Sequence, residues 1–143
     1  MENSSNIWWI YALLSAFFAA LTTIFAKVGI ENVDANLATA IRTAVIVFIA
    51  WGIVLAQGSL SQLATISTRS LIFLIISGVA TGCSWIFYFQ ALQLGKAAQV
   101  APIDKSSVMM VIVFSALFLH EPLTFKVILG GCLIAIGTLV LVL

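Results

Sequence analysis

Five apolar segments, each about as long as a membrane is thick, dominate this sequence of 143 residues. A helix that crosses the hydrocarbon core of a bilayer needs roughly 20 mostly apolar residues. The segments that meet this requirement lie at residues 7–29, 36–56, 70–93, 97–119 and 122–142. Because a helix satisfies its backbone hydrogen bonds internally, the sequence predicts an all-α integral membrane protein, a bundle of five transmembrane helices.

The small number of charged residues excludes several classes of protein. Charged side chains make up 8% of this chain, against about 25% in a soluble domain. We therefore exclude a soluble enzyme, a secreted disulfide scaffold and a disordered protein. The net charge of +1 predicts no nucleic-acid partner. Cys83 and Cys132 lie in apolar runs and are interpreted as packing residues instead of a disulfide or metal pair.

The connections between the predicted spans are short. The longest, at residues 57–69, is the one that could hold an interfacial helical turn, because it carries apolar residues spaced by three: Leu60, Leu63 and Ile66. Pro122 suits the first turn of the last helix, where its missing N–H costs nothing. We expect one transmembrane domain over residues 1–143.

The distribution of basic residues leaves the orientation open. We call the side of the N-terminus side A and that of the C-terminus side B. The loop cations number two on each side: Arg69 and Lys126 on A, Lys27 and Lys96 on B. Counting Arg42 and Lys105 with their nearer side gives B four and makes it cytoplasmic. Two hypotheses remain. Either the chain inserts in both orientations (dual topology) and forms an antiparallel dimer, or it inserts in one orientation with side B in the cytoplasm.

Three charged residues lie inside predicted spans: Arg42, Asp104 and Lys105. Insertion scales assign about 2.5–3.5 kcal/mol to such a residue at a helix centre, so each needs a partner or a watery cavity. Arg42 and Asp104 both lie six or seven residues from side B, a depth of roughly 10 Å. An Arg42–Asp104 charge pair or gate is therefore geometrically possible.

The structural alternative is that this pair only connects two helices, or that the Arg42 side chain extends to the membrane interface on side B. The functional alternative is that these charges line a substrate cavity and rearrange during transport. Asp104 and Lys105 are neighbours that diverge by about 100° on a helix, so we expect them not to pair well with each other. One would then hold Arg42 while the other faces the cavity.

Pro102 precedes the charged neighbours by two residues. If the helix already runs through Ala98, this proline releases the Ala98 carbonyl and kinks the helix. A broken helix beside a charge is typical of transporter binding sites. If the helix begins near Ala101, Pro102 is simply an N-terminal proline.

Small residues and aromatic residues share the third span. Gly78 and Gly82 form a GxxxG pattern, which in lipid allows close helix packing. Trp85 and Tyr88 could instead form the wall of a cavity and contact a substrate. The last span carries further small residues that predict packing or dimerisation: Gly130, Gly131 and Ala135.

Enzymatic chemistry is not expected. His120-Glu121 lacks the second histidine of a zinc helix motif, so no metal site is predicted. No span offers a nucleophile with a nearby base, and no cofactor motif is present in the sequence. We therefore predict a protein that is not an enzyme and that uses no cofactor.

Four sequence features follow one another in the second half of the chain: ALQLG at 91–95 within SGVATGCSWIFYFQALQLG, VAPI in VAPIDKSSV at 100–108, FLHEPLT at 118–124, and a glycine-bearing last helix. In this order they resemble the pattern of EamA-type proteins of the drug/metabolite transporter superfamily. The sequence departs from the pattern at His120, where relatives usually carry glycine. The resemblance covers about 70–143 strongly and the first two spans loosely.

This resemblance implies an architecture and an activity. Most members have ten spans in two inverted halves, so this chain would be equivalent to one half and would work as a homodimer. The fourth helix of each half lines the cavity, which places Asp104 and Lys105 there. Relatives move amino acids, nucleobases, amines and drugs. Family membership therefore selects no substrate.

The leading hypothesis is a secondary transporter of a prokaryotic plasma (inner) membrane that exports a small metabolite or drug-like molecule by alternating access. Asp104 is the candidate for coupling, with protons as candidate ions. Lys105, Trp85 and Tyr88 are candidates for substrate contact. The alternative is a non-transporting subunit of a larger membrane complex, for example one that flips a lipid carrier.

Overall fold

The computed structural model describes residues 7–143, and within that range every regular element is helical. The elements are α1 (Trp8–Gly29), α2 (Ala35–Ala56), a 3-10 segment (Ser59–Thr65), α3 (Thr68–Leu94), α4 (Ala97–Lys105), α5 (Ser107–Phe118) and α6 (Phe125–Val142). Five spans are long and apolar enough to cross a membrane, with α4 and α5 together forming the fourth. The predicted all-α membrane architecture is confirmed.

The ends of the helices agree with the predicted spans to within a few residues. The 3-10 segment provides the helical turn expected in the connection at 57–69, and it follows Gly58, whose φ of 66° is left-handed. The interpretation of Pro122 is wrong, because α6 begins three residues later at Phe125. Thr124 provides the start signal, since its side chain accepts a hydrogen bond from the N–H of Val127.

The described residues form two compact units. One consists of Ala26–Gln93, and the other combines the residues before Ala26 with Leu94–Leu143. In the Ala26–Gln93 unit, the buried residues belong to the turn after α1, the start of α2 and the end of α3: Ile30, Ala35, Thr39, Phe89 and Leu92. The Lys27 ammonium donates to the Leu92 carbonyl, and the Gln93 side chain donates to the Val33 carbonyl. These hydrogen bonds join the end of α1 and the turn that follows it to the end of α3.

In the other unit, α4 and α5 both pack against α6. The helices approach closely at Gly131, which is buried against the side chains of Met109 and Ile112 of α5. The link from α5 to α6 turns at His120, whose φ is 55°. The N–H of Glu121 then donates a hydrogen bond to the Ser115 carbonyl at 3.3 Å, which satisfies a carbonyl at the C-terminal end of α5.

Candidate functional site

The fourth span contains a proline in its helical interior. The α4 helix begins at Ala97, so Pro102 is its sixth residue. A proline at this position has no N–H to donate to the carbonyl four residues earlier, which is that of Ala98. The structure thus decides between the two alternatives: Pro102 is an internal proline that frees the Ala98 carbonyl, not a residue of the first turn.

The span is irregular at the single residue Ser106, between the end of α4 and the start of α5, although Ser106 keeps helical backbone angles (φ −62°, ψ −17°). We call this irregularity the break. The Ser106 N–H is shared between the carbonyls of Pro102 and Ile103, at 3.1 and 3.0 Å. The Thr138 hydroxyl of α6 also donates to the Pro102 carbonyl, at 3.4 Å. The break is therefore a defined turn that is held from α6, and it lies next to both intramembrane charges of this unit.

Asp104 and Lys105 form an ion pair directly before the break. The Lys105 Nζ lies 3.2 Å from Asp104 Oδ2, and the two side chains are 63% and 34% exposed, respectively. The expectation that these neighbours would not pair well is wrong. Their Cβ atoms diverge, but the four-carbon lysine chain is long enough to bend back across that angle. The two charges neutralise each other locally.

In the Ala26–Gln93 unit, Arg42 lies against two aromatic rings of α3. Its guanidinium carbon is 4.3 Å from the Trp85 ring centroid and 5.4 Å from the Phe89 ring centroid. Both distances are within the range of a cation–π contact. Tyr88 is half-buried, and its ring lies edge-on to the Phe89 ring with 6.3 Å between the two ring centroids. We call Arg42, Trp85 and Phe89 the arginine–aromatic cluster.

Sequence reasoning chose Trp85 as a wall for the substrate but missed Phe89. The i, i+4 spacing of these two residues was the available signal, since it places both rings on one face of α3. That Arg42 would lie on that face could not be read from spacing, because it depends on which helix is the neighbour. The proposed Arg42–Asp104 pair stays a prediction.

Comparisons with known proteins identify the family. The model of the EamA-like transporter family matches residues 6–143. This chain belongs to the EamA-like transporter family. It is 50% identical over 137 residues to an uncharacterized transporter in the cobO 3′ region of Sinorhizobium sp, covering 96% of this chain and 97% of that protein. No solved structure matches.

A second relative of this EamA-like transporter is longer. The uncharacterized transporter YvbV of Bacillus subtilis (strain 168) is 30% identical over 133 residues, which cover 92% of this chain but 43% of YvbV. The family and the five apolar helices make this chain a multi-pass transporter of a bacterial cell membrane. Its departure at His120 is accommodated, because the histidine adopts the left-handed conformation that glycine adopts easily.

The small residues proposed for packing differ in their surroundings in this EamA-like transporter. A Cβ at Gly131 would stand 2.8 Å from Met109 Sδ, so this glycine permits close helix contact. A Cβ at Gly78, Gly82 or Gly130 would meet no described atom within 4 Å. Ala135 is half-buried. Packing of Gly78, Gly82 and Gly130 against another chain stays a prediction.

A pocket with a mixed polar and apolar lining, which the sequence did not indicate, lies where α1 ends. It has a volume of about 530 Å³ and is lined by Lys27, Val28, Ile30, Glu31, Asn32 and Gln93. Asn32 has a left-handed φ of 72°. Within residues 7–143, no group of three His, Cys, Asp or Glu side chains could hold a metal ion.

Proposed function

We propose that this protein is a secondary carrier that exports a small organic metabolite by alternating access. The break at Ser106, directly after the Asp104–Lys105 pair, is the observation that carries the proposal. A span in two helical pieces can change the angle between them by adjusting one turn. The same turn carries the charges, so such a change would alter their surroundings.

Asp104 is the residue for coupling and Lys105 for contact with the substrate, while Trp85 and Tyr88 contribute wall surface. Asp104 is one-third exposed and already holds a cation at 3.2 Å. Protonation of its carboxylate would release Lys105, and a released ammonium can bind a substrate group. Proton binding at Asp104 would thus favour substrate binding at Lys105, so the two binding events would be coupled at this pair.

The working unit is a homodimer. YvbV, which matches this chain over 43% of its own length, is long enough to contain two such units. Two copies of the present chain would supply an equivalent number of spans. The open glycines of α3, Gly78 and Gly82, are candidates for the contact between copies.

The transport test uses purified protein in proteoliposomes, loaded in turn with radiolabelled amino acids, nucleobases and amines. Efflux is measured with and without a pH gradient. Asp104→Asn is expected to remove the dependence on the gradient, and Lys105→Ala to lower the rate. Lys126→Ala, at the start of α6, serves as the matched control for loss of a lysine. Unchanged efflux and gradient dependence in the first two variants would refute their roles.

Recovery of the chain only in a complex with another protein would favour the subunit hypothesis.

Orientation is tested separately with a reporter fused to the C-terminus that is active on only one side of the membrane. The loop cations balance at two on each side, which is the observation that favours dual insertion. A mixture of both orientations is expected for an antiparallel dimer. Activity on a single side would exclude dual insertion and require a parallel pair.

A further inference from the structure

Arg42 is a membrane-embedded cation that has no anionic partner in its own unit. It is the eighth residue of α2, well inside the span. The acidic residues of the Ala26–Gln93 unit are Glu31 and Asp34, and neither lies within 4.0 Å of the guanidinium. The Asp34 carboxylate is occupied as the N-cap of α2, where it accepts hydrogen bonds from the N–H groups of Asn36 and Leu37.

The aromatic rings orient this cation without neutralising it. A guanidinium that lies on a ring is held through its face, while its N–H groups point outward in its plane. Within the described part of the Ala26–Gln93 unit, no acceptor takes a hydrogen bond from Arg42. The neighbouring hydroxyls of Thr39 and Thr43 donate to backbone carbonyls of α2, at 2.8 Å each. Within this unit, the in-plane donors of Arg42 therefore have no protein acceptor.

The other intramembrane carboxylate already has a cation. Asp104 carries Lys105 at 3.2 Å, so that pair contributes no net charge. Within the Ala26–Gln93 unit, Arg42 is thus a cation that has no carboxylate partner. A planar fork of N–H donors that is fixed in orientation matches the two oxygens of a carboxylate or the oxygens of a phosphate.

We propose that Arg42, held on Trp85 and Phe89, binds the anionic group of the transported substrate, a carboxylate or a phosphate. The inference rests on the proposed carrier function and names its substrate class, organic anions. Trp85 and Phe89 act as positioning residues that hold the guanidinium plane, and Arg42 contacts the ligand. A bound anion supplies the negative charge that pairs with Arg42. A neutral analogue of the same shape is therefore expected to bind more weakly.

The contact with Trp85 provides a direct readout of binding. The chain has four tryptophans, at positions 8, 9, 51 and 85. Replacing Trp8, Trp9 and Trp51 by phenylalanine leaves Trp85 as the one emitter. The full-length protein in detergent is titrated with benzoate, phenyl phosphate and inorganic phosphate, and with benzamide as the neutral shape analogue. We expect saturable changes in Trp85 emission with an anion, at a concentration at least about tenfold lower than with benzamide.

Two substitutions separate charge from geometry. Arg42→Gln removes the charge and is expected to abolish the anion response. Arg42→Lys keeps the charge but loses the planar fork, and is expected to weaken binding by about tenfold. The matched control is Arg69→Gln, because Arg69 lies 6.0 Å from the Phe73 ring on an exposed part of α3. This control is expected to bind as the parent does.

Several results would overturn the inference. They are an equal response to benzamide and to the anions, the absence of any anion response, or unchanged affinity in Arg42→Lys. The comparison of benzoate with benzamide uses the protein that keeps Trp85 as its one tryptophan and has no substitution at Arg42. It therefore decides the question even if Arg42→Gln fails to fold. Preference for benzoate assigns a carboxylate, and preference for the phosphates assigns a phosphate. Anion binding without efflux in proteoliposomes would refute the carrier but keep the site. Efflux of amines or nucleobases that is unaffected by Arg42→Gln would keep the carrier and refute the site.

Discussion

The sulfur of Met109 lies 2.8 Å from the position that a Cβ on Gly131 would occupy. The Ile112 Cδ1 atom lies 2.9 Å from the same position, so α6 approaches α5 here as closely as a glycine allows. Both neighbouring atoms lie near the ends of flexible side chains, which can move by a few tenths of an ångström. A single methyl group at this position is therefore tolerated better than a long side chain.

Gly131→Leu is expected to lower the free energy of unfolding by about 1–3 kcal/mol, the usual range for overpacking. Gly131→Ala should have a much smaller effect. The measurement is thermal unfolding of the purified protein in detergent. Gly137→Leu, on the same helix at a position that meets no described atom within 4 Å, is the control. Met109→Ala should recover part of the loss in Gly131→Leu, and a cost equal to that at Gly137 would contradict the packing account.

Pro102→Ala is expected to stabilise the protein and to slow transport. Alanine restores an N–H that can donate to the Ala98 carbonyl, a hydrogen bond that contributes about 1 kcal/mol. A continuous α4 should also resist the change of angle at Ser106 that the carrier needs. Melting temperature and efflux rate are measured on the same preparation. A rise in both quantities would contradict the role of the break.

Thr138→Val offers an independent test of that turn. It removes the hydroxyl that donates to the Pro102 carbonyl at 3.4 Å while conserving side-chain size. A bond of this length is weak, so we expect a loss of stability below about 1 kcal/mol. Efflux should change more clearly than stability if α6 holds the break in place. Thr138→Ser keeps the hydroxyl and should behave as the parent does.

His120→Gly is expected to raise the melting temperature. His120 has a φ of 55°, and a left-handed conformation costs an L-residue roughly 1–2 kcal/mol, a strain that glycine does not have. The greater freedom of glycine in the unfolded chain cancels part of the gain. A net rise of about 2–4 °C would correspond to 1 kcal/mol. His120→Val, which is β-branched, should lower the melting temperature. The opposite order of the two variants would refute the strain.

Asp34→Ala is expected to cost about 1 kcal/mol of stability. The carboxylate accepts the N–H groups of Asn36 and Leu37, at 2.9 and 3.0 Å, and so satisfies two donors at the start of α2. Asp34→Asn keeps an acceptor in the same place and should be close to neutral. The measurement is again thermal unfolding in detergent. Equal losses in both variants would assign the effect to charge instead of capping.

The sequence predicted the spans well because hydropathy over about 20 residues responds to the bilayer and not to neighbouring helices. It was less reliable where a local rule competed with another. Pro122 suited a helix start, but Thr124 provided the stronger cap. Pro102 predicted a kink, yet the position of the break, at Ser106, depended on a shared N–H and on Thr138 from α6.

The charges show the same division. Sequence singled out Arg42, Asp104 and Lys105, because any charge within an apolar span is conspicuous. The expectation that Asp104 and Lys105 would not pair well was wrong, because adjacent positions on a helix diverge but a long lysine side chain still reaches its neighbour. The contact of Arg42 with Trp85 was not foreseen.

By itself, then, the sequence determined that this chain is a five-span membrane protein, and which few residues carry its charge. Both follow from the cost of placing polar groups in hydrocarbon, which acts on each segment separately. Only the tertiary structure decided which ring holds Arg42, which glycine is closely packed and where the fourth span breaks. Each of these depends on atoms from a second part of the chain, and their positions are set by how the helices pack.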